Sequence, residues 1–505
     1  GTKEVVSDAH TRIADQEMLK ITFRRCHNFI HGNEGMPKDA AFWQFLYLIF
    51  CKMHDEGLRT EQRHAWQRRF WAGPKEQFEV EGRKAIRKRI EELFAEVKTQ
   101  YQNIFRGNEE ITLSDRALAF IVSELARYDF TRTDVDAKGV AYQELVGVNL
   151  RGDRGQYFTP RGVVKLVIEM LDPKESETLL DPACGTGGFL VAALKLMLDK
   201  FREEEGIKSG QENTEEFLTI HERLKAYAGT NVFGADFDPF LIQAAQMNMV
   251  LAGDGRGHLY NINSLEFPLG HLADLPNARR DIPLGSVDIV ATNPPFGSDI
   301  PITEKHILEQ YELAHNWELD GDGGFRNTGV LKSSVAPEIL FIERCIKWLK
   351  PGTGRMGIVL PDGVLGNPSD EYVRWWIMRE AQVFASVDLP VEAFIAEANV
   401  NILTSLLFLR RKSDEEKHTE TLNGAEEYPV FMAVAEKVGF DRRGNKLYKR
   451  APDGEEIVEP RQYTENIRIG GRFVTRNLTR NEKIEDNDLP VIAENYREFR
   501  KERDL

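Results

Sequence analysis

The stretch Thr178-Leu179-Leu180-Asp181-Pro182-Ala183-Cys184-Gly185-Thr186-Gly187-Gly188-Phe189-Leu190 runs from an apolar strand through a glycine-rich turn into the start of an apolar helix. A strand, a glycine turn and a helix in this order cradle a nucleotide-like cofactor. The missing Cβ atoms let a ligand approach the backbone, and the helix N-terminus offers free N–H groups. The dinucleotide fingerprint G-x-G-x-x-G fails here because its last position is Leu190, and no Gly-Lys-Ser/Thr follows to make a phosphate-binding loop. Asp181, standing before the turn, suits a cationic amino-acid moiety better than a pyrophosphate. The candidate cofactor contacts in this stretch are Asp181, Gly185, Thr186, Gly187 and Gly188.

Working downstream, Asn231-Val232-Phe233-Gly234-Ala235-Asp236-Phe237-Asp238-Pro239 reads as a second strand ending in a carboxylate. At a strand tip beside a glycine turn, Asp236 is placed to accept both hydroxyls of a ribose. Asp236 could instead cap a helix, but Asp238 is better placed for that, directly before Pro239 and the apolar Phe240, Leu241, Ile242, Ala244 and Ala245. A third apolar run, Ser286 to Thr292, stops at Asn293-Pro294-Pro295-Phe296. The prolines fix φ and carry no N–H, so the carbonyls of Asn293 and Pro294 are expected in a set direction, with Phe296 presented as a flat face. Such a corner suits the exocyclic amine of a nucleobase. The amine's lone pair is delocalised into the ring, two fixed acceptors on its hydrogens push density back onto nitrogen, and the aromatic stacks the base. The plain alternative is a tight Pro-Pro turn after a parallel strand. Asn293, Pro294, Pro295 and Phe296 are the candidate catalytic residues.

Taken together, these segments resemble the amino-methylating DNA methyltransferases that use S-adenosylmethionine, and specifically the modification subunit of type I restriction-modification systems. The resemblance covers most of the chain. Gly155-Gln156-Tyr157-Phe158-Thr159-Pro160-Arg161 is similar to the family's cofactor-binding segment, Asp181 to Gly188 to its glycine motif, Gly234 to Pro239 to its ribose motif, and Asn293 to Phe296 to its catalytic motif. The resemblance implies that Gln156, Tyr157, Phe158 and Thr159 cover the methionine end of the cofactor. Read on its own, the same segment is a helix start, with Thr159 as cap, Pro160 at the first position and an apolar stripe of Val163, Val164, Val167, Ile168 and Leu171. The family often has an acidic residue at the next strand end, on the adenine amine of the cofactor. Here Asn263 stands nearest, and its amide oxygen can accept the same bond without charge. The implied reaction is methylation of N6 of an adenine flipped out of the duplex.

The 505-residue chain is long enough for two or three domains, and 41 % hydrophobic with 29 % charged residues fits a soluble globular protein. No signal sequence is visible, and the longest apolar run, Ala40 to Cys51, is too short to span a bilayer. A cytoplasmic location is expected. Cys26, Cys51, Cys184 and Cys345 are scattered, favouring neither a disulfide framework nor a zinc site, and no metal is expected. The net charge of −15 argues against a protein that grips DNA unaided, because phosphate neutralisation needs a basic surface. Basic clusters occur at Arg83 to Arg89 and at Arg442, Arg443 and Lys446, but such runs are more often solvated faces. Sequence recognition is therefore expected on another polypeptide. The resemblance implies a specificity subunit that reads the DNA, commonly with two modification subunits, and a restriction subunit added for cleavage.

The expected fold is α/β: a Rossmann-like class I methyltransferase sheet with an N-terminal helical domain and a C-terminal extension. Residues 1–150 read as helical, from the apolar Ala40 to Phe50 and the spacing of Ile86, Ile90, Leu93 and Val97. A glycine-rich linker is expected over 147–155. Alternating strand and helix signals place the catalytic domain at 151–445, with a strand at Gly354 to Pro361 and an antiparallel pair from Phe384 to Leu389 and Leu403 to Leu409. Residues 299–335, rich in Gly, Asp and Asn, are expected to form a long loop, a lid or DNA-contacting element. A strand-hairpin signal follows at 429–434 and 439–445. Residues 446–505 are expected to be a partner-docking C-terminal extension; beyond Pro460 the chain is polar and lacks an obvious core, so it should dock on the body or a partner. Three alternatives stay open: a stand-alone methyltransferase, a cytosine-amine or protein-glutamine methyltransferase, and a noncatalytic scaffold that kept the fold.

Overall fold

The computed structural model describes the chain except residues 1–13, 15, 63–66, 103, 106, 134, 151–157, 208–213, 254–256, 298–299, 322, 399, 470–471 and 504–505. It divides into two compact units, one of residues 1–156, 197–229 and 246–257, the other of residues 157–196, 230–245 and 258–505. The first unit opens with helices α1 (Gln16–Glu34), α2 (Lys38–Gln62), α3 (Val80–Gln100), α4 (Asp115–Leu125) and α5 (Val135–Leu150). The stripe Ile86, Ile90, Leu93 and Val97 is buried on α3, as its helical spacing requires. Aromatic rings fill the interior, with Phe23 edge-on to Phe45 at 5.2 Å and Phe50 edge-on to Phe105 at 5.4 Å. Helix α5 runs through to Leu150, so the first residues of the expected linker are helical, and 151–155 lie outside the described residues. Part of the basic run on α3 is paired locally: Arg87 with Asp115 and Glu91, and Arg89 with Glu76.

The chain continues through α6 (Arg161–Leu171), β1 (Leu179–Asp181), α7 (Gly188–Glu204), α8 (Thr214–Asn231), β2 (Val232–Asp236), α9 (Pro239–Leu251), β3 (His258–Asn261), α10 (Leu275–Asp281) and β4 (Ile289–Thr292). Next come α11 (Lys305–Leu308), β5 (His315–Leu319), β6 (Phe325–Leu331), α12 (Pro337–Trp348), β7 (Arg355–Pro361), α13 (Asp362–Gly366), α14 (Glu371–Glu380), β8 (Ala381–Leu389), α15 (Glu392–Ala398) and β9 (Thr404–Arg411). The last elements are α16 (Asp414–Asn423), β10 (Phe431–Val434), β11 (Val458–Ile469), β12 (Arg472–Lys483) and α17 (Leu489–Glu502). In the second unit an eight-stranded sheet has the order β10-β8-β9-β7-β4-β1-β2-β3, parallel except for β9, which runs against both its neighbours. The strand order reverses between β1 and β4. In open α/β sheets that switch point opens a crevice at the carboxyl ends of the strands, where ligands bind. The expected α/β sheet is present, and the strand expectations that define it hold within a residue or a few.

Packing explains local sequence choices. Gly234 in β2 has no room for a side chain: a Cβ there would lie 2.6 Å from Leu259 and 2.8 Å from Leu190. Arg355, at the start of β7, clamps Glu177 through two bonds of 2.7 and 2.8 Å, holding the entry to β1.

Two expectations need correction. Residues 299–335 are not a bare loop: among the described residues they form α11 and the β5–β6 hairpin. Their ends are joined by a bridge between Ile302 and Val335. The buried Glu343 carboxylate holds the same segment by accepting the N–H groups of Glu312 and Leu313, both at 2.9 Å. The signal at 429–445 is not one hairpin, because β10 pairs parallel with β8 at the sheet edge while Phe440 bridges Lys446 in a separate turn. The C-terminal extension docks on the body through its last helix. Leu489, Ile492, Ala493 and Tyr496 are buried on α17, which packs against α6, and β11 and β12 pair over twelve residues each.

Candidate active site

Strand β1 ends at Asp181, and the turn that follows needs its glycines. Gly185 (φ +52°) and Gly187 (φ +80°) adopt left-handed backbone that disfavours any Cβ. Open space lies where a Gly185 side chain would project, so this part of the turn can receive a ligand against its backbone. The turn is tied to β2 by Cys184 N–H on the Ala235 carbonyl at 2.9 Å, and closed by Gly187 N–H on the Cys184 carbonyl at 2.7 Å. Thr186 is buried in it, and Gly188 opens α7.

Asp236 sits at the tip of β2, partly buried. One carboxylate oxygen accepts the Gly185 N–H at 3.0 Å and the other accepts the Asp238 N–H at 2.9 Å. Burial pushes this carboxyl above its ordinary range, against the pull of those backbone donors. Asp238 takes the capping role expected of it, accepting the Phe240 N–H at 2.8 Å at the start of α9. Asn263 is partly buried beyond β3, with its side-chain oxygen on the Leu265 N–H at 3.1 Å.

Asp181 is almost fully buried, 1 % exposed, and one of its oxygens accepts both the Thr292 hydroxyl at 2.7 Å and the Ala183 N–H at 3.1 Å. It therefore joins the tip of β1 to the tip of β4 and brings the glycine turn beside the Asn-Pro-Pro-Phe corner. Its carboxyl is pushed up to about 7 by burial, and the two hydrogen bonds only partly offset this.

At the corner itself, Asn293 donates from Nδ2 to the Thr159 hydroxyl oxygen at 2.9 Å. That bond fixes which way the amide faces, and the other end, Oδ1, is buried without a hydrogen-bond partner. An orphaned buried acceptor is costly unless something else fills it. Pro294 is buried and Pro295 exposed. Phe296 is not an open face, being 6 % exposed; it forms one wall of a cavity of about 210 Å³ that also touches Gly297, Glu338, Pro361 and Val364. Thr159 is not the helix cap its position suggests. Pro160 occupies that place without a side-chain bond, and the Thr159 hydroxyl serves Asn293 instead. Phe158 is partly buried beside it; Gln156 and Tyr157 lie outside the described residues.

Three contributors are not evident in the sequence. Asn261 donates from Nδ2 to the carbonyls of Asp236 at 3.1 Å and Phe237 at 2.8 Å, fixing the loop after β2. Phe237, 66 % exposed, offers an apolar face at that strand tip, and its only sequence signal is its place directly after the carboxylate. Glu338 reaches the corner from α12, accepting the Gly297 N–H at 3.2 Å across 41 positions of sequence. Among the described residues no group of His, Cys, Asp and Glu is placed to hold a metal ion, and no helix is long and apolar enough to cross a membrane.

Residues 134–437 match the family of N-6 DNA methylases. The chain is 26 % identical over 412 residues to the methylase subunit of the type I restriction enzyme StySPI from Salmonella potsdam, covering 79 % of this chain and 68 % of that one. The EcoKI methylase subunit of Escherichia coli K12 gives the same identity over the same length and shares. Among solved structures, the type I restriction-modification system methyltransferase subunit from Streptococcus thermophilus superposes with a TM-score of 0.51 at 18 % identity, covering 79 % of this chain and 86 % of that one. That likeness is one of fold.

Proposed function

The chain belongs to the N-6 DNA methylase family, and from that premise we propose how its site methylates the N6 amine of adenine in DNA as the modification subunit of a type I restriction-modification system. One observation carries the reading: the buried Oδ1 of Asn293, oriented by Thr159 and lacking a partner, is an acceptor held ready for an amine hydrogen. Asn293 Oδ1 takes one hydrogen of the target amine and the Pro294 carbonyl the other, while Phe296 packs on the base. Positive charge grows on the amine nitrogen as its new bond forms, so both acceptors strengthen in the transition state and no strong base is needed. Adenine must leave the duplex to reach such a corner.

The open backbone at Gly185 and the strand-tip carboxylate beside it fit S-adenosylmethionine. Asp236 would hold the ribose hydroxyls, Phe237 and Asn263 would flank the adenine, and Phe158, Thr159 and the turn from Asp181 to Gly188 would enclose the amino-acid end. When bound, this cofactor supplies an electrophilic methyl group. Residues 151–445 are assigned to catalysis and the helices of 1–150 to closing over DNA.

A specificity subunit that reads the DNA, two modification subunits around it and an added restriction subunit are the proposed partners. The charge balance supports this, because the net charge is −15 and some of the basic side chains that could meet phosphate are paired with acidic neighbours. Examples are Arg442 with Glu392 and Lys446 with Glu485. The paired β11 and β12 strands, which join no other strand among the described residues, are a surface for such a partner. Mass spectrometry of genomic DNA tests the function: N6-methyladenine at one sequence context is expected with this chain and its partners and absent when the chain is deleted. Unchanged N6-methyladenine on deletion would refute it.

A further inference from the structure

The cavity behind Phe296, about 210 Å³, is smaller than the roughly 300 Å³ at which pockets for drug-sized ligands begin. It suits one heteroaromatic base. Ile339, Pro361, Val364 and Ile402 give it apolar walls, and Glu338 and Asp370 bring two carboxyl groups to it. Glu338 is the second residue of α12 and 7 % exposed. Its Oε2 accepts the N–H of Gly297, the residue directly after Phe296, so the carboxyl lines the cavity and is tied to the end of the corner.

No cation pairs with Glu338 among the described residues. A buried carboxyl without one favours its neutral form. Burial raises its pKa, against the pull of its own N–H and that of Gly297, and the neighbouring Asp370 adds to the rise. A neutral carboxyl has a hydrogen to donate. Adenine is short of donors to meet. Apart from its amine, its ring edges offer only acceptor nitrogens, and the two groups assigned to the amine, Asn293 Oδ1 and the Pro294 carbonyl, are themselves acceptors.

Resting on the adenine-methylating reading above, we propose that Glu338 acts as a neutral acid that donates a hydrogen bond to a ring nitrogen flanking the amine of the flipped base, N1 or N7. The base is then recognised by one donor from the cavity lining and by the two acceptors of the Asn293–Pro294 corner, which meets the cavity at Phe296. Glu338 is then a specificity-determining residue, more than a peg for Gly297.

The test uses the full chain assembled with its specificity partner and duplexes whose target adenine is replaced by 1-deazaadenine or 7-deazaadenine. One of the two is expected to lower kcat/KM about tenfold for the unsubstituted chain, the worth of one hydrogen bond. Glu338→Ala should lower kcat/KM on ordinary adenine to a similar extent, and the same deaza base should then cost no more than about twofold further. Glu338→Gln keeps a donor for the base and an acceptor for Gly297. It should recover most of the loss and abolish the fall in kcat/KM that the carboxyl imposes toward high pH. The proposal is overturned if both deaza bases cost Glu338→Ala as much as they cost the unsubstituted chain. Should Glu338→Ala fail to fold, the Gln variant decides: a flattened pH profile supports the proposal and an unchanged one overturns it. Ordinary adenine is assayed in every arm. Methylation there with additive penalties removes only this inference, whereas no methylation by the unsubstituted complex removes the proposed function as well.

Discussion

At the tips of β1 and β2 the carboxylates already have donors, whereas at the tip of β4 an acceptor is left without one. Asp236 receives the N–H groups of Gly185 and Asp238, and Asp181 receives the Thr292 hydroxyl and the Ala183 N–H. Asn293 Oδ1, by contrast, is buried and unmatched. The difference separates two tasks. On the proposed reading, the glycine-turn side holds its shape before a ligand arrives, and the corner is completed by the reacting group. Binding energy at such a corner is realised as charge develops, which is where it lowers a barrier.

If the glycine-turn side is a finished scaffold, damage to it should appear as lost stability or lost cofactor affinity. The largest effect is expected for Gly234→Val, whose side chain would collide with Leu259 and Leu190; overpacking of this kind costs about 3 kcal/mol, and thermal unfolding should show it. An unshifted melting temperature would mean that the scaffold is looser than its contacts. Asp236→Ala comes next. It should weaken S-adenosylmethionine binding about 30-fold, or roughly 2 kcal/mol, by calorimetry, while methyl transfer at saturating cofactor stays within about threefold. A collapse of that saturated rate would erase the division between the two tips.

Smaller still, Thr159→Val removes the acceptor that orients the Asn293 amide. Single-turnover methylation at saturating cofactor should slow about fivefold, near 1 kcal/mol, and an unchanged rate would show that the amide is held without it. A last effect depends on pH and accumulates over several pH units. The Asp181 carboxyl is raised by burial to about 7 in the folded chain, against about 3.9 when unfolded. A raised carboxyl favours folding below its unfolded value, and that advantage is lost as pH rises through about 7, at up to about 1.4 kcal/mol per pH unit. Asp181→Asn keeps an acceptor for Thr292 without the charge, so its stability should gain on the parent between about pH 5 and pH 8 by denaturant melts. Parallel curves across that range would place the titration elsewhere.

The parts of the site carried by short segments are legible in the sequence itself: the glycine turn, the carboxylate at Asp236, the cap at Asp238 and the Asn-Pro-Pro-Phe corner. Each is a run of neighbours whose residue types constrain their own backbone. What the sequence hides depends on contacts between distant segments. Thr159 looks like a helix cap because caps are local, yet its hydroxyl meets Asn293 across 134 positions. Phe296 reads as a flat face for a base, and the cavity beside it exists only once α12 and the end of β7 close around it. The Gly- and Asp-rich segment 299–335 has weak local preferences, and its order comes from Glu343 on α12 and the bridge from Ile302 to Val335. Helix α17 escapes a sequence reading because its apolar residues are few, and they find their partner on α6 more than three hundred residues earlier.

The role of the unmatched oxygen can be measured in one experiment: the single-turnover rate of methyl transfer by Asn293→Ala at saturating S-adenosylmethionine, with cofactor affinity measured on the same preparation. About a hundredfold slower transfer, near 3 kcal/mol, with affinity unchanged is the expected result. Full transfer, or a loss confined to cofactor affinity, would contradict the account of the corner as the acceptor of the reacting amine.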